Sequence, residues 1–322
     1  MLQIFAITFP VFALVAAGYF AARRRMVPID AIPGLNIFVL YFALPCMLYR
    51  FGARTPVAEL LDVPVLIVWG VGALTMVAGT IAVTRRGRIG WNDGAFGALV
   101  ATFSNTGFMG VPLLAALLGA GVAGPVMLTI MFDVVVISSL CIALSRLDGA
   151  NASAGAAFRQ ASRGVFFNPL LWAIVLGALT SALQLALPGP IDRTLAMLAE
   201  AATPTALFTI GAVLARPALV AARNGVAHVR APVGDVLPVV VAKLLVHPLL
   251  IFGLAHGAIA LGMSINREAL VAIVLVAALP SASNVSMLAE RYGADNGRIA
   301  RIILWTTVAA FFTFPLATRW LR

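Results

Sequence analysis

The segment FSNTGFMGVP, residues 103–112, decides the fold because it puts polar and helix-breaking residues in the middle of a long apolar run. Proline removes a backbone donor and clashes with the preceding turn of a helix, and glycine lets the backbone leave the helical region. Freed backbone groups are costly in apolar surroundings, so they are tolerated only where protein or water satisfies them. The segment therefore indicates either a proline kink or a true break that exposes backbone groups for binding.

A second segment, LPSASN at residues 279–284, repeats this composition in another apolar run. Two such segments at equivalent positions favour true breaks over kinks. If both helices break near the membrane midplane and cross, their half-helix N-termini offer free N–H groups and positive dipole ends to an anion. The predicted anion-binding residues, with the prolines that break the helices, are Ser104, Asn105, Thr106, Gly107, Pro112, Pro280, Ser281, Ser283 and Asn284.

The whole chain has the composition of an integral membrane protein. Of its 322 residues, 62% are hydrophobic and 11% are charged, whereas about a quarter of an ordinary soluble domain is charged. So few charged side chains cannot cover a soluble surface, which excludes a cytosolic enzyme and also a nucleic-acid binder, despite the net charge of +10. Unbroken apolar runs of about twenty residues also exclude an outer-membrane barrel.

Ten apolar runs are long enough to cross a membrane as helices. Fifteen arginines lie in the loops after the odd-numbered runs, and six lie on the other side. Because positively charged loops stay in the cytoplasm, we expect the odd-numbered loops there and both termini outside. The runs occupy residues 2–22, 32–49, 63–83, 94–118, 124–145, 168–187, 194–215, 236–258, 268–290 and 299–320.

The interrupted runs are the second and fourth of each half of the chain, because FALP at 42–45 and ATP at 202–204 also match in position. Five spans is an odd number, so two homologous halves insert in opposite senses, as in the inverted repeats of secondary transporters. The predicted fold is an all-α integral membrane protein of ten transmembrane helices in a 5+5 inverted repeat, with helices 4 and 9 broken and crossed. The repeats are 1–147 and 167–322, joined by a cytoplasmic linker, 148–166.

Four ionisable side chains are candidates for function, because they lie inside the apolar runs rather than at their ends, and a charge there is expensive. Asp133 and Lys243, the only lysine, form a structural ion pair, or else Asp133 carries a coupling proton or Lys243 helps to bind the anion. His247, one turn beyond Lys243 on the same helix face, is either a packed polar residue or a proton carrier. Glu200 is expected close to the start of its run, at the membrane interface.

Four segments in this order resemble the auxin efflux carrier family in its compact bacterial form, which includes proteins labelled malonate or other dicarboxylate transporters. The resemblance covers nearly the whole chain and implies an elevator-like motion of a core domain, helices 3–5 and 8–10, against a scaffold of helices 1, 2, 6 and 7. It also implies a homodimer and contacts from Asn105 and Asn284 to a substrate carboxylate. The segments are LNIFVLYFALP at 35–45, SNTGFMGVPL at 104–113, KLLVHP at 243–248 and PSASN at 280–284.

The expected function is secondary transport of a small organic anion across a bacterial inner membrane, driven by a proton, by sodium or by the membrane potential. The alternatives are a sodium-coupled symporter similar to the bile-acid carriers, although no acidic cluster lies near the breaks, and an anion channel or receptor. An enzyme is not expected, because Ser281, Ser283 and His247 follow no known catalytic spacing. Cys46 and Cys141 lie in apolar runs without a metal-ligand pattern, so no metal or cofactor is predicted.

Overall fold

The computed structural model describes residues 2–56, 62–85, 89–147, 166–223 and 232–321. Within these ranges the chain is helical without a β-strand, so the predicted all-α class is confirmed for the described residues. The ten-helix inverted repeat stays a prediction, and nearly all of the predicted linker lies outside the described residues. Six of the described helical segments are long and apolar enough to cross a membrane, namely Ile29–Arg54, Val63–Thr84, Ala123–Leu144, Gly189–Arg216, Val233–Ala260 and Asn296–Leu321.

The helices are labelled in chain order. They are α1 Leu2–Arg23, α2 Ile32–Phe38, α3 Leu44–Arg54, α4 Val63–Thr84, α5 Trp91–Thr102, α6 Val111–Leu118, α7 Ala123–Phe132, α8 Ser138–Leu144, α9 Pro169–Ala182, α10 Gly189–Arg223, α11 Val233–Val241, α12 His247–Ala260, α13 Arg267–Ala278, α14 Val285–Tyr292 and α15 Asn296–Leu321. Short 3₁₀ turns occupy Ile29–Ala31 and Ala120–Val122. Wider π-helical turns occupy Val39–Ala43, Thr106–Gly110, Asp133–Ile137 and Ala242–Val246.

Most of these π-helical turns have a local cause in the sequence. Three of them end two residues before a proline, at Pro45, Pro112 and Pro248. Proline has no N–H to donate to the carbonyl four residues earlier, and the wider turn reaches back one residue further, as when His247 N–H donates to the Ala242 carbonyl. Asp133 and Lys243 both lie in π-helical turns, which are frequent at functional sites.

The chain forms two compact units, and the first contains Met1–Asp62, Thr106–Leu128 and Asn168–His228. Its helices α1 and α10 pack along each other through small residues. A Cβ atom added to Gly18 would overlap the carbonyl oxygen of Phe208, so the two backbones are in direct contact there. Close approach at small residues is the usual way in which membrane helices associate.

The second unit contains Val63–Asn105, Thr129–Phe167 and Val229–Arg322. Its centre is built from α5 and α13, the helices that precede the two interrupted segments. Every residue of α5 from Gly94 on and every residue of α13 from Ala269 on is buried. A helix that is apolar on all sides is a core element, so the ends of α5 and α13 lie deep inside this unit.

The helix that contains Glu200 is longer than the apolar run predicted for it, and the interfacial position of Glu200 stays a prediction. The apolar run predicted at 194–215 is part of the longer helix α10, which begins at Gly189 because Pro190 fits the first turn of a helix. Glu200 therefore lies about three turns inside α10 rather than near its start, and its side chain is exposed on the surface of the chain.

Candidate functional site

Both interrupted segments are true breaks in the helices rather than kinks. The helix α5 ends at Thr102, and helical structure resumes with a π-helical turn at Thr106. The helix α13 ends at Ala278, and α14 begins at Val285. Each break leaves a few extended residues between two half-helices, where a continuous helix would have left no free backbone groups.

The two extended pieces run antiparallel and are hydrogen-bonded to each other within the second unit. Ser104 and Ser281 form an isolated antiparallel bridge. The Asn105 N–H donates to the Pro280 carbonyl at 2.9 Å, and the Ala282 N–H donates to the Phe103 carbonyl at 3.0 Å. These bonds satisfy backbone groups that the breaks expose, as a buried site requires, and they define a crossover of the two segments.

Polar side chains at the crossover are buried but incompletely hydrogen-bonded. Ser104, Ser281, Asn105 and Ser283 are between 0% and 5% exposed, and Asn284 is half-buried. The side-chain oxygens of Asn105, Asn284 and Ser281 have no hydrogen-bond partner among the residues that the structure describes. Buried polar atoms without a partner are rare and costly. Several of them at one place are typical of a ligand-binding site.

Asn284 occupies the N-cap position of α14 but does not cap that helix with its side chain. An N-cap asparagine normally accepts a hydrogen bond from the first turn, as Asn266 does at α13, where its Oδ1 accepts from the Ala269 N–H at 2.6 Å. The amide of Asn284 is therefore left available beside the positive end of a helix.

The remaining predicted residues are placed along the chain as follows. Pro280 lies in the second break, where its carbonyl accepts the crossover bond from Asn105. Thr106 and Gly107 lie in the π-helical turn that follows the first break, and Pro112 lies at the start of α6. These three residues belong to the first unit.

Lys243 lies at the crossover, with its side chain fully buried. Its Nζ donates to Ser104 Oγ at 2.6 Å, to His247 Nδ1 at 3.1 Å and to the Ala277 carbonyl at 3.1 Å. These contacts use all three donors of an ammonium group. Every acceptor is neutral, so the positive charge is hydrogen-bonded but is not neutralised by a contacting carboxylate.

Asp133 and Lys243 do not contact each other, so the structural ion pair predicted from the sequence is not formed as a direct contact. The Asp133 side chain is buried, and its Oδ1 accepts from Trp69 Nε1 at 2.9 Å. The Trp69 ring in turn lies 5.3 Å from that of His247, between ring centroids. Trp69 and His247 therefore lie between Asp133 and Lys243 in a row of buried side chains. Within the described ranges no three His, Cys, Asp or Glu side chains form a group that could hold a metal.

Sequence reasoning missed Trp69 and Thr306, which support the site from outside the interrupted segments. Thr306 Oγ1 accepts from the Ser281 N–H at 3.2 Å. The available signal for Trp69 is its indole N–H, which needs a partner when tryptophan is buried in an apolar helix. The spacing along the chain gives no indication that the partner is Asp133.

Arg298 is one of the fifteen arginines expected in the loops after the odd-numbered runs, and it is buried in the first turn of α15. Its guanidinium donates to the Asp93 carbonyl at 2.9 Å and to the Asp235 carbonyl at 3.1 Å. Its backbone N–H donates to Asp295 Oδ1 at 2.9 Å. The feature of the sequence that could have indicated this burial is an aspartate at or beside the start of each of the helices α5, α11 and α15.

Comparison with known proteins finds membrane transport proteins that match nearly the whole chain. The family described as "Membrane transport protein" matches residues 3–318. A "Putative malonate transporter" of Rhizobium meliloti (strain 1021) is 30% identical over 319 residues, which cover 97% of this chain and 94% of the relative. An "Uncharacterized transporter" of Methanothermobacter thermautotrophicus is 27% identical over 314 residues, with 95% and 94% covered. The "Uncharacterized transporter YfdV" of Escherichia coli (strain K12) is 25% identical over 296 residues, with 88% and 86% covered.

Proposed function

Because this chain belongs to the membrane transport protein family, which includes the auxin efflux carriers, we propose that it is a secondary transporter of a small carboxylate. The observation that supports this proposal best is the pair of asparagines, Asn105 and Asn284, whose buried side-chain oxygens have no hydrogen-bond partner among the described residues. An amide can turn to present its NH₂ group, which donates to a carboxylate without adding charge. A neutral donor holds an anion and still allows its release.

The proposed substrate site consists of the predicted residues around the two breaks. Asn105 and Asn284 donate to the carboxylate, and the start of α14 adds the positive end of its dipole. Ser104, Ser281 and Ser283 complete the site in this proposal, and the role predicted for Thr106 and Gly107 stays a prediction. The name of the Rhizobium meliloti relative makes malonate the first substrate to test.

The proposed transport cycle follows the ten-helix inverted repeat expected from the sequence. Helices 3–5 and 8–10 carry the site in an elevator-like motion against helices 1, 2, 6 and 7, in the inner membrane of a bacterium. A proton on Asp133 or the membrane potential acting on the substrate supplies the driving force, since one charge gains about 2.3 kcal/mol per 100 mV. A homodimer is part of the proposal, and a monomer in both gentle detergent and lipid would contradict that part.

The test of the function combines binding with transport. Purified protein is screened by thermal shift against malonate and other mono- and dicarboxylates, because a ligand that binds the folded state stabilises it. The best ligand is then used for counterflow in proteoliposomes. We expect saturable uptake that accelerates when unlabelled substrate is present inside. Flux that neither saturates nor shows counterflow would indicate a channel and would contradict the proposal.

The orientation is tested separately by cysteine labelling in intact cells. A single cysteine is introduced as Gly155→Cys, in the predicted cytoplasmic linker, after Cys46 and Cys141 have been replaced by serine. We expect no reaction with an impermeant reagent until the membrane is permeabilised. Ready labelling of intact cells would overturn the assignment of both termini to the outside.

A further inference from the structure

We propose that Lys243 is a built-in cation, whose ammonium fills a monovalent-cation site at the crossover in place of a dissolved coupling ion. Anion binding is then independent of sodium, and removal of the lysine side chain uncovers a site for a small cation. The cation site is argued from Lys243 and its own contacts. Its effect on anion affinity rests on the proposed carboxylate transport.

The contacts of Lys243 are those of a cation site rather than those of a salt bridge. A hydroxyl oxygen, a carbonyl oxygen and an imidazole nitrogen surround the ammonium, from Ser104, Ala277 and His247. The imidazole accepts through Nδ1, so the neutral tautomer carries its proton on Nε2, which has no partner in the described part of the chain. The lone pairs of three neutral groups therefore point at one position, which the positively charged Lys243 Nζ occupies.

The position of this point in the fold favours a positive charge. Ala277 is in the last turn of α13, where carbonyl groups have no partner within the helix. Ser104 comes two residues after the end of α5. The negative ends of two helix dipoles thus meet at the Lys243 ammonium. In transporters with broken helices, half-helix C-termini and unwound carbonyls are the groups that coordinate coupling cations.

The complete burial of Lys243 indicates that its charge has a specific role. It is the only lysine in a chain whose other cations are arginine or histidine, and its side chain is fully buried. A buried ammonium is expensive unless the surrounding groups compensate for it. The nearest acid in the same row of side chains, Asp133, is bonded to Trp69 instead. The charge therefore remains unpaired beside the breaks, where it attracts an anion held by Asn105, the neighbour of Ser104.

The experiment removes the Lys243 ammonium and supplies a small dissolved cation in its place. Lys243→Ala removes the ammonium and three methylene groups, which correspond to propylammonium. Lys243→Met is the matched control, because it keeps the apolar volume and removes only the charge. Each protein is purified in N-methylglucamine salts and is then measured in sodium, ammonium or propylammonium. The readouts are the melting temperature without substrate and the affinity for malonate or the best ligand of the screen.

The wild-type protein is expected to show the same melting temperature and affinity in every cation. Lys243→Ala should lose affinity roughly 10- to 100-fold in N-methylglucamine and should recover much of it, with a higher melting temperature, in sodium or propylammonium. Lys243→Met should recover in neither. If Lys243→Ala does not fold in N-methylglucamine, recovery of folded protein when it is purified in propylammonium supports the inference in the same way.

Three results would overturn the inference. These are sodium-dependent binding by the wild-type protein, unchanged affinity of Lys243→Ala without a small cation, and equal responses of Lys243→Ala and Lys243→Met to propylammonium. Failure of the proposed function is distinguishable, because the melting temperature without substrate reports on the cation site alone. If no carboxylate binds to the wild-type protein while small cations stabilise Lys243→Ala, the transport proposal fails and the cation site stands.

Discussion

The second unit buries two cations, and their surroundings differ in kind. Arg298 lies where α5, α11 and α15 begin, and its guanidinium donates to the Asp93 and Asp235 carbonyls, beside an aspartate at or next to the start of each of the three helices. Lys243 lies where α5 and α13 end, and only neutral atoms contact its ammonium. Both cations are therefore held by neutral acceptors, but aspartates lie at the helix starts beside Arg298, whereas Lys243 lies at helix ends without such acids in contact.

The difference separates a structural charge from a functional one. Two of the acids near Arg298 are linked to each other, since the Asp295 N–H donates to Asp93 Oδ1 at 2.7 Å. This bond and the two carbonyl contacts of Arg298 tie the starts of the helices together. The neutral acceptors around Lys243 hold the ammonium in place without cancelling its field. The cation at the crossover, away from the aspartates near Arg298, is therefore the stronger candidate for interaction with a substrate anion.

The largest effect on stability is expected for Arg298→Met. Removing the guanidinium leaves the Asp93 and Asp235 carbonyls without their donor, and an unsatisfied buried acceptor costs about 1–3 kcal/mol of unfolding free energy. The measurement is thermal unfolding in detergent, with substrate affinity determined on the folded fraction. Arg291→Ala is the matched control, because Arg291 is exposed one residue before Tyr292 at the end of α14. A melting temperature as high as that of the control would contradict a structural role for Arg298.

The next effect concerns binding and not stability. Asn105→Ala and Asn284→Ala should each weaken substrate binding by about 10- to 150-fold, because a hydrogen bond to a charged partner is worth about 1.5–3 kcal/mol. Neither change should lower the melting temperature, since both remove an oxygen that has no partner in the described residues. Unchanged affinity in both variants would end the proposal of a crossover site.

Asn266→Ala provides the opposite control for these two variants. Its side chain caps α13, so the substitution should lower stability by about 1 kcal/mol and leave substrate affinity unchanged. Loss of affinity in Asn266→Ala without loss of stability would mean that the distinction between capping and available asparagines is wrong.

The two regions also show how far the sequence predicts the structure. Both helix breaks follow from local chemistry, because the proline, glycine and asparagine residues that cause them are adjacent in the chain. The contacts of Lys243 do not follow, since Ser104 lies 139 positions away and only the folded unit brings them together. The burial of Arg298 does not follow from the sequence either, for a related reason. The sequence does not distinguish a loop arginine from a buried one, because the groups that surround Arg298 come from other helices.

Asp133→Asn tests what the acid in the central row contributes. The amide keeps an oxygen that can accept from Trp69, so folding and substrate affinity should remain close to those of the wild-type protein. If Asp133 carries a coupling proton, uptake into proteoliposomes should no longer respond to an imposed pH gradient but should still respond to membrane potential. A retained response to the pH gradient would remove Asp133 from the coupling mechanism. Unfolding that Lys243→Met partly rescues would instead identify a structural role at a distance.

The smallest expected effect comes from Trp69→Phe, which keeps an aromatic ring in the fully buried site and removes only the donor to Asp133. A hydrogen bond to a charged group is worth about 1.5–3 kcal/mol, and one between neutral groups about 0.5–1.5 kcal/mol. The substitution should therefore cost about 1 kcal/mol more in the wild-type background than in Asp133→Asn, if Asp133 is ionised. Thermal unfolding of the four proteins of this cycle measures the difference. Equal costs in both backgrounds would mean that Asp133 is neutral in the resting protein, in which case Lys243 has no buried countercharge in its row of side chains.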